Sequence, residues 1–241
     1  MLNKVLLCIF TFAITANAKT THEATAKSQA AHHSSHSDHH AEVPGIDPDK
    51  ALMWLKNGNT RYTTNKLRKD GQGYEDVKRL ATGQTPHSIV LSCSDSRVPP
   101  EIVFDQKLGE IFTVRTAGET LDDAGIASME YAVSHLGSQQ LVVMGHTSCG
   151  AVKAALATLD GSDAGSPALN ELVHDIHPRL ASYKRKPQST GVKDESWSNV
   201  KGVATDLEKR SAIIAKAIQS GKLKIRLAMY DLETGKVEFR D

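Results

Sequence analysis

Short, nearly continuous apolar runs alternating with helix-like segments restrict the fold of this 241-residue chain more than any other feature. Ser88-Ile-Val-Leu-Ser92, Glu110 to Arg115 and Gln140 to Met144 each read as a short buried strand. Asp122 to Leu136 reads as a helix closed by Gly137, and Cys149 to Leu159 as a helix directly after the third strand. Strands that are apolar at successive residues are buried on both faces, and strands alternating with helices form a mostly parallel sheet. The expected fold class is α/β, a mostly parallel central β-sheet flanked by helices.

Further elements extend this core at both ends. Asp47-Pro48 pairs an N-cap with a proline at the first helical position, and starts an amphipathic helix to about Tyr62. This segment is an N-terminal helical arm. Tyr74 to Thr82 reads as a short helix ended by Gly83. Beyond Gly161 the chain reads as a helix from Pro167 to about Tyr183, which Pro178 should end or kink. Lys184 to Ser198 reads as loop and Asn199 to Ser220 as one long helix. Leu223 to Tyr230 alternates like a half-exposed strand. A turn at Glu233-Thr234-Gly235 leads to a C-terminal edge strand, Lys236 to Phe239.

The first 43 residues have a different character. Lys4, an apolar run from Val5 to Ile14 and Ala16-Asn17-Ala18 form the pattern of a secretory signal peptide, residues 1–18, cleaved after Ala18. The run is far shorter than the roughly 20 residues that span a bilayer. The expected location is periplasmic or secreted, with no membrane attachment after cleavage; a retained amphipathic anchor is the alternative. Residues 19–43 hold six of the eleven histidines, His22, His32, His33, His36, His39 and His40, and almost no large side chains. Such a stretch cannot bury enough surface to offset the entropy of ordering, so a disordered tail is expected. A soluble spacer and a metal-binding tract both remain open for it. The folded domain is then expected to occupy residues 44–241. A formal net charge of +1 argues against a nucleic-acid-coating protein.

Removal of Cys8 with the signal leaves Cys93 and Cys149, each at the end of an expected strand. Ligands of open parallel sheets bind beyond the carboxyl ends of the strands. Adjacent strands would bring Cys93, His146 and Cys149 together as a Cys₂His zinc site, with a fourth position for water or a carboxylate. Thiolates disfavour calcium and magnesium. A Cys93–Cys149 disulfide is the alternative that an oxidising compartment allows. Asp95 and Arg97 form either a functional pair or a simple ion pair at a strand end.

Ser92-Cys-Ser-Asp-Ser-Arg-Val-Pro99, Gly109-Glu-Ile-Phe-Thr-Val-Arg115 and Gly145-His-Thr-Ser-Cys-Gly150 resemble the signature segments of β-class carbonic anhydrases. Gly58-Asn-Thr-Arg61, Glu130-Tyr-Ala-Val133 and Tyr230-Asp-Leu-Glu-Thr-Gly235 extend the resemblance from about Asp47 to the C-terminus. It implies reversible hydration of CO₂ by zinc-bound hydroxide, with Zn²⁺ held by Cys93, His146 and Cys149. Asp95 and Arg97 would be the dyad that orients the hydroxide, Asp95 becoming the fourth ligand in a closed state. The resemblance further implies substrate contacts from Gln84, Phe112 and Tyr131, the aromatics reaching across a subunit interface; the Gly150 N–H, at a helix start, is placed to favour an anionic product. Ala117 replaces a larger aliphatic residue and would widen the pocket. A homodimer or homotetramer is implied. His87 and the tail histidines are the candidate proton shuttles. Hydrolysis of carbonyl sulfide or carbon disulfide, and zinc buffering through the tail, are the competing functions.

Overall fold

The computed structural model describes residues 45–240, so the expected signal segment, residues 1–18, and the expected 19–43 tail lie outside the described residues. Five strands form one sheet in the order β2-β1-β3-β4-β5. They are β1 (Ser88–Cys93), β2 (Ile111–Thr116), β3 (Gln140–His146), β4 (Lys224–Tyr230) and β5 (Val237–Arg240). The first four are parallel and β5 runs antiparallel to β4 at the edge. The expected α/β class and the edge strand are both present.

The central strands explain the continuous apolar runs. Ile89 and Leu91 of β1, with Leu141 and Val143 of β3, face one core. That core is completed by α4 (Asp123–His135), α7 (Lys193–Arg210) and α8 (Ala212–Gln219). Val90, Val142 and Met144 point the other way, toward Leu55 of α1 (Pro48–Thr63) and Val103 of α3 (Pro100–Val103). Neighbouring residues thus enter opposite cores, and only an apolar side chain suits either. A third cluster, from α5 (Gly150–Ala157) and α6 (Pro167–Leu180), packs behind Cys93 and Cys149.

Helix α1 begins as expected, the Asp47 carboxylate accepting from the Asp49 and Lys50 N–H groups at 3.0 Å. Buried Asn59 ties it to the body: its amide donates to the Val103 and Gly235 carbonyls, and its carbonyl accepts from the Val237 N–H. Each such group left unpaired would cost about 1–3 kcal/mol. Helix α2 (Tyr74–Leu80) matches the short helix before Gly83.

Two expectations need correction, and one helix is additional. Part of the expected 184–198 loop is helical, because α7 starts at Lys193 and buries Glu195, Ser196 and Trp197. The expected 199–220 helix is two helices broken at Ser211. There the backbone is extended, the Oγ accepts from the Ile214 N–H, and the hydroxyl donates to Glu130. Helix α3 was not anticipated. Pro178 sits in the last turn of α6, which ends two residues later at Leu180.

Candidate active site

In the order β2-β1-β3-β4, the connection from β1 goes to one side and the connection from β3 to the other. The carboxyl ends of β1 and β3 therefore flank the point where strand order reverses, the usual ligand crevice of such sheets. Cys93 is the last residue of β1, His146 the last of β3, and Cys149 the N-cap of α5. One donor atom from each lies within 4.8 Å of the others. Both thiols are free, so the disulfide alternative is not realised.

All three side chains are buried. A carbonyl only accepts, so the 2.9 Å contact of His146 Nδ1 with the Thr147 carbonyl places the proton on Nδ1. The lone pair is then on Nε2, which is buried and has no hydrogen-bond partner. A buried polar atom without a partner is costly unless something takes up its lone pair. An unpaired imidazole nitrogen beside two thiols is a donor set that fits zinc. The Cys149 thiol, donating toward Cys93, does most to pull the Cys93 pKa below the ordinary thiol range, helped by the Gly118 N–H at 3.3 Å. The same donation, with burial, holds the Cys149 pKa far above the ordinary thiol range.

Asp95 lies two residues beyond β1 and is engaged by Arg97 through a two-pronged contact. Arg97 Nε donates to Oδ1 at 2.9 Å and Nη2 to Oδ2 at 2.7 Å, while the Arg97 backbone N–H adds a third bond at 3.0 Å. The guanidinium holds this carboxyl well below the usual carboxylate range. Asp95 Oδ2 stands 3.9 Å from His146 Nε2. Arg115 braces the loop, donating to the Cys93 carbonyl at 3.0 Å and the Asp95 carbonyl at 2.7 Å. Gly150 is the exposed first residue of α5, with open space where a Cβ would stand.

The remaining expected residues are not gathered here. Gln84 is exposed and precedes the amino end of β1, on a cavity of about 950 Å³ that Trp54, Arg79 and His87 also line. Phe112 is the second residue of β2, opposite Ile89. Tyr131 is half-exposed on α4, its ring 5.0 Å from that of His135. A six-residue strand spans roughly 20 Å, so Gln84 and Cys93 of one chain are at opposite ends of the sheet. His87 shares that far end. Both of its ring nitrogens are engaged, by Ser88 and Gln106, and burial lowers its pKa, so it does not serve as a shuttle for its own chain's site. Ala117, half-buried, follows β2 directly.

Sequence reading assigned no role to Arg115, Gly118, Glu119 or Asn199. Arg115 and Gly118 stand at or just past the carboxyl end of β2, a position that signals a site. Asn199 comes from a distant helix and carries no local signal.

Fold and site together define an α/β protein with a buried Cys-His-Cys donor set at the switch point of its sheet. Residues 88–237 match the family model described as carbonic anhydrase. The carbonic anhydrase of Mycolicibacterium smegmatis is 38% identical over 198 residues, covering 82% of this chain and 96% of that protein. Carbonic anhydrase 2 of Mycobacterium tuberculosis is 36% identical over 199 residues, covering 83% and 96%. In structure, the chain superimposes on the β-carbonic anhydrase CafA of Aspergillus fumigatus with a TM-score of 0.61 at 26% identity, over 80% of this chain and 90% of that one. The β-carbonic anhydrase CcaA shares the fold at a TM-score of 0.63 and 23% identity, over 80% and 94%. This chain belongs to the β-class carbonic anhydrases.

Proposed function

We propose that the protein interconverts CO₂ and bicarbonate at a zinc ion held by Cys93, His146 and Cys149, with Asp95 and Arg97 as an orienting dyad. The observation that carries this reading is the buried, unpartnered Nε2 of His146 between two free thiols, with an ionised carboxylate beside it. When bound, zinc supplies Lewis acidity that brings the pKa of a water from 15.7 to about 7. The chain's own groups do the rest. Asp95 is ionised at neutral pH and can only accept, so it takes the hydrogen bond of the attacking oxygen and turns its lone pair toward CO₂. Arg97 fixes the direction of that carboxylate and keeps it from turning to the metal as a fourth ligand. The Gly150 N–H, unpaired at a helix start, donates to the anionic product. The test is zinc content together with stopped-flow CO₂ hydration on the same preparation.

Gln84, Phe112 and Tyr131 contribute to this chemistry only from a second copy of the chain, as their place at the other end of the sheet requires. The exposed Tyr131, Ile102 and Leu108 support such a contact, and a related fold is described as tetrameric in Sordaria macrospora. Light scattering should give a solution mass of two or four chains; a monomer with full turnover would remove these three residues from the site. Export to the periplasm, or secretion, rests on residues 1–18 and is tested by N-terminal sequencing of the mature protein.

A further inference from the structure

Behind Cys93 lies a buried polar relay that the chemistry above does not use. The turn after β2 places Gly118 and Glu119 consecutively in the left-handed region, at φ 66° and 55°. Such a backbone persists only where its surroundings over-determine it. A Cβ on Gly118 would stand 2.8 Å from the Ala151 Cβ and 2.9 Å from the Ile176 Cδ1, so the turn is also closely packed. In this conformation the Gly118 N–H points at the Cys93 sulfur, 3.3 Å away.

Asn199 holds the turn. It is fully buried, and both amide hydrogens are used: Nδ2 donates to the Gly118 carbonyl at 2.8 Å and to Glu119 Oε2 at 3.3 Å. Its Oδ1 accepts from Arg179 Nη1 at 3.3 Å. That contact sets which way round the amide sits, because a rotated amide would bring its NH₂ against the guanidinium. Arg179, with only 4% of its side chain exposed, is fixed in turn by Asp175 and Asp206. The relay thus runs from surface carboxylates through Arg179 and Asn199 to a metal-ligand sulfur.

We infer that Asn199, oriented by Arg179, is a positioning residue for Cys93, fixing the 117–119 turn so that the Gly118 N–H tempers the charge this thiolate gives to the metal. Outer hydrogen bonds of this kind tune bound metals. The inference rests on the zinc reading above. It is tested with Asn199→Asp, which keeps size and the Arg179 contact but offers Gly118 no donor. In the cobalt-loaded protein, the thiolate-to-cobalt absorption should move to lower energy, because a sulfur without its N–H partner is more electron-rich. For the same reason the midpoint of the zinc enzyme's pH–rate profile should move upward. Arg179→Lys, which preserves the charge for Asp175 and Asp206, should shift both in the same direction by less.

Folded variants with wild-type absorption and midpoint would overturn the inference. Wild-type protein loaded with cadmium-113 gives a reading that needs no substitution: the Gly118 amide proton should couple to the metal through sulfur. Absence of that coupling in a loaded protein would also overturn it. Failure of the wild-type chain to take up metal at Cys93 would instead contradict the proposed function.

Discussion

Cys149→Ser is expected to yield a folded protein that fails to retain zinc and hydrates CO₂ no faster than buffer. Serine fills nearly the same volume, so the cluster of Val152, Ala155, Val173 and Ile176 around the position is left intact. The chemistry is not conserved. On binding a metal the wild-type thiol would release its proton to solvent, because a metal-bound thiol is deprotonated, whereas a serine hydroxyl would stay protonated and neutral. One of two anionic donors is removed, and the loss of affinity should exceed the roughly 10–100-fold that follows loss of a mere outer partner. Chelator competition measures the affinity and stopped-flow hydration the rate. Retention of zinc and near-normal turnover would take Cys149 out of the ligand set.

Asp95→Asn should behave differently, keeping zinc while losing turnover by roughly 10²–10³-fold, the scale of a lost charge-orienting group. Asparagine preserves shape but presents an NH₂ that cannot accept from the attacking oxygen, and it leaves the Arg97 fork without its anion. The acid behaviour expected of the wild type follows from the same assignment. Because Arg97 depresses the Asp95 pKa, the pair is intact above the ordinary carboxylate value of about 3.9 and is lost only as pH falls below it. Any loss of rate between neutrality and about pH 4 therefore belongs to groups other than Asp95. An Asp95→Asn enzyme with normal zinc and normal rate would leave the dyad without a role.

What could be read from the chain alone was what local pattern encodes. Ile89 to Leu91 and Leu141 to Met144 serve two cores at once, so their continuous apolar character announced a sheet covered on both faces. Cys93, His146 and Cys149 were legible because each sits at or just beyond a strand end, where a parallel sheet binds its ligands. The break at Ser211 was hidden, because the hydroxyl that caps α8 is held by Glu130 from another helix. The first turn of α7 looked like loop for a related reason: Glu195 is polar but buried, spent on the Ser189 backbone N–H and hydroxyl. Asn199 was invisible as a site residue, since it meets Gly118 across 81 positions. Gln84 and Tyr131 matched the family motifs, yet the single chain holds them apart from Cys93, and the second copy proposed above is what would bring them together.

Stripping the purified protein with a chelator and returning zinc stepwise, with CO₂ hydration followed by stopped flow, tests the central claim most directly. The account predicts that hydration vanishes with the metal and returns in proportion to zinc, saturating at one ion per chain carrying the Cys93, His146 and Cys149 donor set. Undiminished hydration by zinc-free protein, or an inert protein with one zinc per chain, would contradict it.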